Sequence, residues 1–173
     1  MLGYENREPH MKKKINIFVS YARANKVLAG RFLERFRTCL RAGRRYSYVF
    51  WQDTDILVGE SWHEEIQKAL AACDIGLLLV SAAFLGSQYI SQHEIPRFVG
   101  KRAKPVIPVL LQPVDWERFD LKGLKERQIF RLDRPRFAHP KAYGECYNSV
   151  QRDQFALELF RQAELKLDRL YRR

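Results

Sequence analysis

The stretch LLLVSAAFLGSQYISQHEIPRF, residues 77–98, decides the fold. It opens on a run, Leu77–Val80, with no polar residue on either alternate face. A strand of this kind is buried on both sides, as in a parallel sheet covered by helices. About a dozen residues later the chain turns polar around one acid, Glu94, beside His93 and just ahead of Pro96. The spacing Ser91–Glu94 fits a capping box, so the bland role for Glu94 is to close a helix. Pro96 argues against that role, because it would fall inside the helix and remove a backbone donor. A helix beginning near Pro96 and running to Lys101 leaves Glu94 at its first turn, free to face a cleft.

Working outward, the same grammar repeats. INIFVS (Ile15–Ser20) and YSYVFW (Tyr46–Trp51) read as strands, KPVIPVLL as a fourth, and QIFRL (Gln128–Leu132) as a short fifth. Between them, Asn25 caps a helix with Leu28, Phe32, Phe36 and Leu40 on one face, and Gly43 ends it. Ser61 and Glu64 form a capping box for a helix whose apolar side carries Trp62, Ile66, Ala69, Leu70 and Cys73. A long helix runs from Val150 to the end, with Ala156, Phe160, Ala163, Leu167 and Leu170 in register. Apolar strands alternating with helices predict an α/β fold, a parallel sheet with helices on both faces. Ligands of such sheets bind beyond the carboxyl ends of the strands. The loops after Ser20, Trp51 and Ser81 leave that edge, and topology therefore carries Glu94 to the rim.

Bulk properties narrow the field. The chain has 173 residues, 46% of them apolar, enough for one packed domain and too apolar for a disordered chain. Residues 1–13 form a polar leader and residues 14–173 the domain; its last helix leaves room for a further domain beyond it. No apolar run reaches the roughly 18–20 residues a membrane span needs. The leader has no apolar middle, and a cytoplasmic protein is expected. Three cysteines and four histidines fall at no metal or disulfide spacing. The net charge of +11 is spread over separate clusters without interleaved aromatics, which reads as a solvated surface more than a nucleic-acid module. Nucleotide-cradling glycine loops are absent.

The ordered set IFVSYAR, DTDILVGESW and AL..CDIGLLLVS..FL.S.YI...E resembles the Toll/interleukin-1 receptor (TIR) domain, bacterial versions in particular, over roughly Ile15–Leu132. The resemblance implies a flavodoxin-like five-stranded parallel sheet. It also implies one of two activities. Some members are scaffolds that assemble through the loop after the second strand, here Ile56, Leu57, Gly59 and Trp62. Others cleave the nicotinamide–ribose bond of NAD+ with a glutamate that matches Glu94. In those members NAD+ is the substrate, no cofactor is needed, and the pocket is completed by other TIR protomers. Arg23 would hold phosphates, Phe18, Tyr21, Trp51, Phe84 and Tyr89 supply stacking surfaces, and Asp53 and Asp55 shape the loop or touch ribose. Many enzymatic members carry Trp four residues before the glutamate; Ile90 stands there, and Tyr89 takes the stacking role. The receptor-type Phe-Trp box is missing.

Overall fold

The computed structural model describes residues 11–55 and 57–171. Ile56 and the first ten residues of the polar leader lie outside them. Four strands form one parallel sheet: β1 (Lys13–Ser20), β2 (Tyr46–Trp51), β3 (Ile75–Val80) and β4 (Val106–Leu110), in the order β2-β1-β3-β4. The helices are α1 (Lys26–Ala42), α2 (Trp62–Ala72), the short α3 (Ala82–Gly86) and α4 (Ser149–Tyr171).

Strand pleating sorts the apolar side chains into two cores. Ile15, Ile17, Val19, Leu77 and Leu79 face α1 and α4, packing with Phe32, Phe36, Phe155 and Leu159. Phe18, Leu78 and Val80 face the other way, onto Ile66 and Leu70 of α2 and onto Phe84, Ile95 and Phe98. Every residue of β3 is buried, as its uninterrupted apolar run requires. Gly76 has a packing reason: a Cβ there would come 2.4 Å from the Phe98 ring. That missing side chain lets the segment after Glu94 lie flat on the sheet.

The fifth strand expected over Gln128–Leu132 is reduced to one parallel bridge, Val109 with Phe130. Phe130 N–H donates to the Pro108 carbonyl, and Leu110 N–H donates to that of Phe130. The next rung toward Gln128 would need an N–H from Pro108, which has none. In the other direction Leu132 turns away to pair with Lys141. The sheet therefore has four strands among the described residues.

Two expected caps also differ. Asn25 precedes α1 without capping it; its amide donates to Gln112 (2.9 Å), and its oxygen accepts from Ser81 Oγ (2.6 Å). Ser61 precedes α2 without a side-chain capping bond; in the loop before it, Glu60 accepts from Leu57 N–H at 2.8 Å. On α4, Phe155 and Leu159 join the buried stripe, while Leu170 is exposed.

Candidate active site

Glu94 reaches the rim by an unusual path. Ser81, the residue after β3, caps α3 by accepting from Phe84 N–H at 3.0 Å. The chain then widens into one π-helical turn, Ile90–Glu94, and tightens into a 3-10 turn, Ile95–Arg97. This replaces the helix expected over 96–101. Pro96 sits in the first positions of the tight turn, where its lack of an N–H breaks no bond. Wide single turns of this kind are frequent at functional sites. The capping role for Glu94 does not form: its carboxylate accepts a hydrogen bond from Ser20 Oγ, at the end of β1, and among the described residues from no backbone N–H.

Glu94 is only 6% exposed, and among the described residues it is the one charged side chain that is buried. Burying a carboxylate without a countercharge is unfavourable, so the group holds its proton more tightly. Burial pushes its pKa from 4.5 up to about 7; the Ser20 hydrogen bond pulls the other way, and the nearby charge of Asp53 adds to the rise. At neutral pH the carboxyl therefore sits near the midpoint of its titration, which is the setting of groups that do chemistry.

Beside it lies a cavity of about 310 Å³. Its walls carry Phe18, Tyr21, Arg23, Trp51, Asp53 and Tyr89 together with Glu94, so seven of the residues singled out in the sequence converge here. Trp62 joins them from the first turn of α2. Phe18 stacks on Trp51 with ring centroids 5.1 Å apart and 12° between planes. On the other side Trp62 leans on Tyr89 at 4.3 Å. Burial raises the Tyr21 phenol above its ordinary value, and Asp53 and Asp55 add to it; the hydroxyl is a neutral hydrogen-bonding group at pH 7.

Two residues expected at the site do not line it. Phe84 is fully buried in the core beneath, because its backbone is tied to Ser81 and its ring points into the sheet–helix layer. Asp55 is exposed and closes the local turn, accepting from Gln52 N–H at 2.7 Å. Leu57 and Gly59 lie in the loop outside the cavity. Ser20 was not foreseen as a site residue; its signal was a lone hydroxyl ending an apolar strand at the carboxyl edge. A larger open groove of about 650 Å³ runs between β4 and α4, but none of its charged side chains is buried.

The chain belongs to the TIR domain family, whose sequence profile matches residues 17–142, well over half its length. It is also similar to the uncharacterized protein y4lF of Sinorhizobium fredii (strain NBRC 101917 / NGR234). The two are 32% identical over 104 residues, which is 58% of this chain and 31% of that protein. The chain thus aligns with under a third of its relative's length. The four-stranded parallel sheet with helices around it is consistent with a TIR fold. TIR domains generally self-associate. Among the described residues no helix is long and apolar enough to cross a membrane, and no three His, Cys, Asp or Glu side chains gather to hold a metal.

Proposed function

We propose that this chain is a TIR-domain NAD+ nucleosidase. It cleaves the nicotinamide–ribose bond to release nicotinamide and ADP-ribose or a cyclic form, in microbial (anti-phage) immunity or signalling. The observation that carries the reading is the buried Glu94 carboxyl at the wall of an aromatic cavity, held by Ser20. Breaking this bond builds positive charge on the ribose ring. Nicotinamide leaves as a neutral molecule from a cationic precursor, so no general acid is required. One carboxylate in a place of low dielectric can stabilise the developing cation and hold the ribose hydroxyls. The bond cleaved is C1′–N1; its electron pair leaves with nicotinamide, and the ribosyl cation is captured by water or by the adenine of the same molecule, with one proton released to solvent. NAD+ enters as substrate, and the chemistry calls for no cofactor. Arg23 stands at the cavity edge to meet the diphosphate.

A cavity of about 310 Å³ is at the small end for ligand sites and suits the nicotinamide riboside half. The rest of the dinucleotide extends outward, where a second protomer completes its binding. Activity therefore rises with protein concentration and assembly, in the cytoplasm where NAD+ is abundant. The test is nicotinamide release from NAD+ at high protein concentration, comparing Glu94→Gln. Removing the group that meets the developing charge is expected to cost at least about 100-fold. Equal turnover by both proteins would refute the reading. Because only the ionised carboxylate helps, the rate should climb as pH rises through about 7.

A second reading, a non-catalytic scaffold, is favoured by one observation. Leu57 is 70% exposed and Val58 fully exposed in the loop before α2, an apolar tip suited to a partner protomer. In that case Glu94→Gln leaves signalling intact. Gly59→Val abolishes it, since φ of +92° there excludes β-branched residues.

A further inference from the structure

We propose that Trp62 recognises the base of the substrate, a flat pyridinium cation laid against its indole, with Tyr89 and His63 holding that indole in place. The inference deepens the nucleosidase reading and rests on it for the identity of the substrate. It also moves Trp62 from a self-association residue to a substrate contact.

Position 90, where an aromatic would be expected from the resemblance, holds a buried Ile that lines the cavity without a ring. The ring comes from another element. Trp62 opens α2 and is 37% exposed, a large apolar surface left neither in the core nor fully in water. Half-covered on the cavity wall, the indole has surface left for a flat ligand to cover. Its orientation is fixed. The Tyr89 ring packs against it at 4.3 Å, and Tyr89 is pinned in turn by a 2.9 Å hydrogen bond between its hydroxyl and His63 Nδ1. The His93 ring also packs on Tyr89, with centroids 4.7 Å apart.

Charge selects the ligand. Among the described residues the carboxylates lining the cavity are Glu94 and Asp53, and the one cation is Arg23. The Arg23 guanidinium lies 5.5 Å from the Trp62 ring centre, so the indole already holds a cation from its own chain. Trp offers the strongest aromatic face for a cation. The oxidised nicotinamide ring carries a positive charge and takes the same face, while Arg23 swings outward to the diphosphate. A neutral dihydropyridine gains neither the cation–π contact nor the carboxylates. The site therefore prefers NAD+ over NADH at the level of the ring.

The test separates ring recognition from turnover by using 1-methylnicotinamide, a pyridinium cation with no ribosyl bond to cleave. Saturation-transfer NMR should show it bound to the parent protein, retained by Trp62→Phe and lost in Trp62→Ala. Neutral nicotinamide should bind at least about threefold more weakly. Arg23→Ala should strengthen 1-methylnicotinamide binding and weaken that of NAD+. In turnover, Trp62→Ala should raise KM for NAD+ about tenfold with kcat changed less than about threefold. His63→Ala should raise KM in the same direction and His63→Gln, which keeps a hydrogen-bond partner for Tyr89, should restore it. Unchanged cation binding in Trp62→Ala, or an unchanged KM, overturns the proposal. If NAD+ is never cleaved yet the cation binds through Trp62, the nucleosidase reading falls and this one stands.

Discussion

Replacing Glu94 by Gln should make the protein more stable, and by an amount that depends on pH. Gln has the same shape and keeps an acceptor for Ser20, but it cannot ionise. In the parent, the folded carboxyl titrates at about 7 and the ordinary value is 4.5. The folded chain therefore binds this proton more tightly than the unfolded one. The stability this gives is fully present below pH 4.5 and is lost as pH rises through 7. The gap from 4.5 to about 7, at 1.36 kcal/mol per pH unit, amounts to about 3 kcal/mol. Glu94 is buried, so solvent does little to screen this cost. At pH 8 the Gln variant should be more stable than the parent by about 3 kcal/mol, or roughly 6–12 °C in Tm for a chain of this size. At pH 5 most of the difference should be gone. Urea unfolding followed by tryptophan fluorescence between pH 5 and 8 measures it. A gap that stays constant with pH, or a parent more stable at pH 8, would refute the claim that the carboxyl is buried without a countercharge. A residue that costs stability where it sits, and whose neutral isostere relieves the cost, is being kept for something other than folding.

Ser20→Ala removes the hydrogen bond that favours the ionised carboxylate, so the pH rise of the proposed nucleosidase activity should move to higher pH, read from a pH–rate profile. Gly76→Ala would place a Cβ within 2.4 Å of the Phe98 ring and should destabilise by about 1–3 kcal/mol in urea unfolding. Pairing it with Phe98→Leu should give less loss than the two single changes added together. Pro108→Val supplies the donor missing from the outer edge of β4; hydrogen exchange should show a protected amide at position 108, with global stability changed by no more than about 1 kcal/mol.

The strands were legible because their information is local. Leu77–Val80 can be nothing but a doubly covered strand, and Ile15–Ser20 and Tyr46–Trp51 are little different. The edge on which Glu94 sits follows from connectivity alone. What escaped depends on relations between distant segments. The fifth strand has an adequate sequence in Gln128–Leu132, but its failure is decided by a proline on the neighbouring strand and by the pull of Lys141 on Leu132. Asn25 and Ser61 have the composition of helix caps, yet Asn25 is claimed by Gln112 and Ser81. No spacing rule announces a π turn, so a helix over 96–101 was the natural expectation. Phe84 and Phe18 are both aromatics near the same rim. Which one reaches the cavity is set by how α3 rolls onto the sheet, a matter of packing and not of pattern.

The hydrogen bonds joining Asn25 to Ser81 and Gln112 have a bearing on how the rim behaves. They staple the exits of β1, β3 and β4 to one another, through a buried bond to Ser81 and a partly buried one to Gln112. Segments that would otherwise wander independently are thereby made to move as one. Much of the disorder that a guest molecule would have to suppress at this edge has already been removed during folding, so less of its binding energy is spent on ordering the rim.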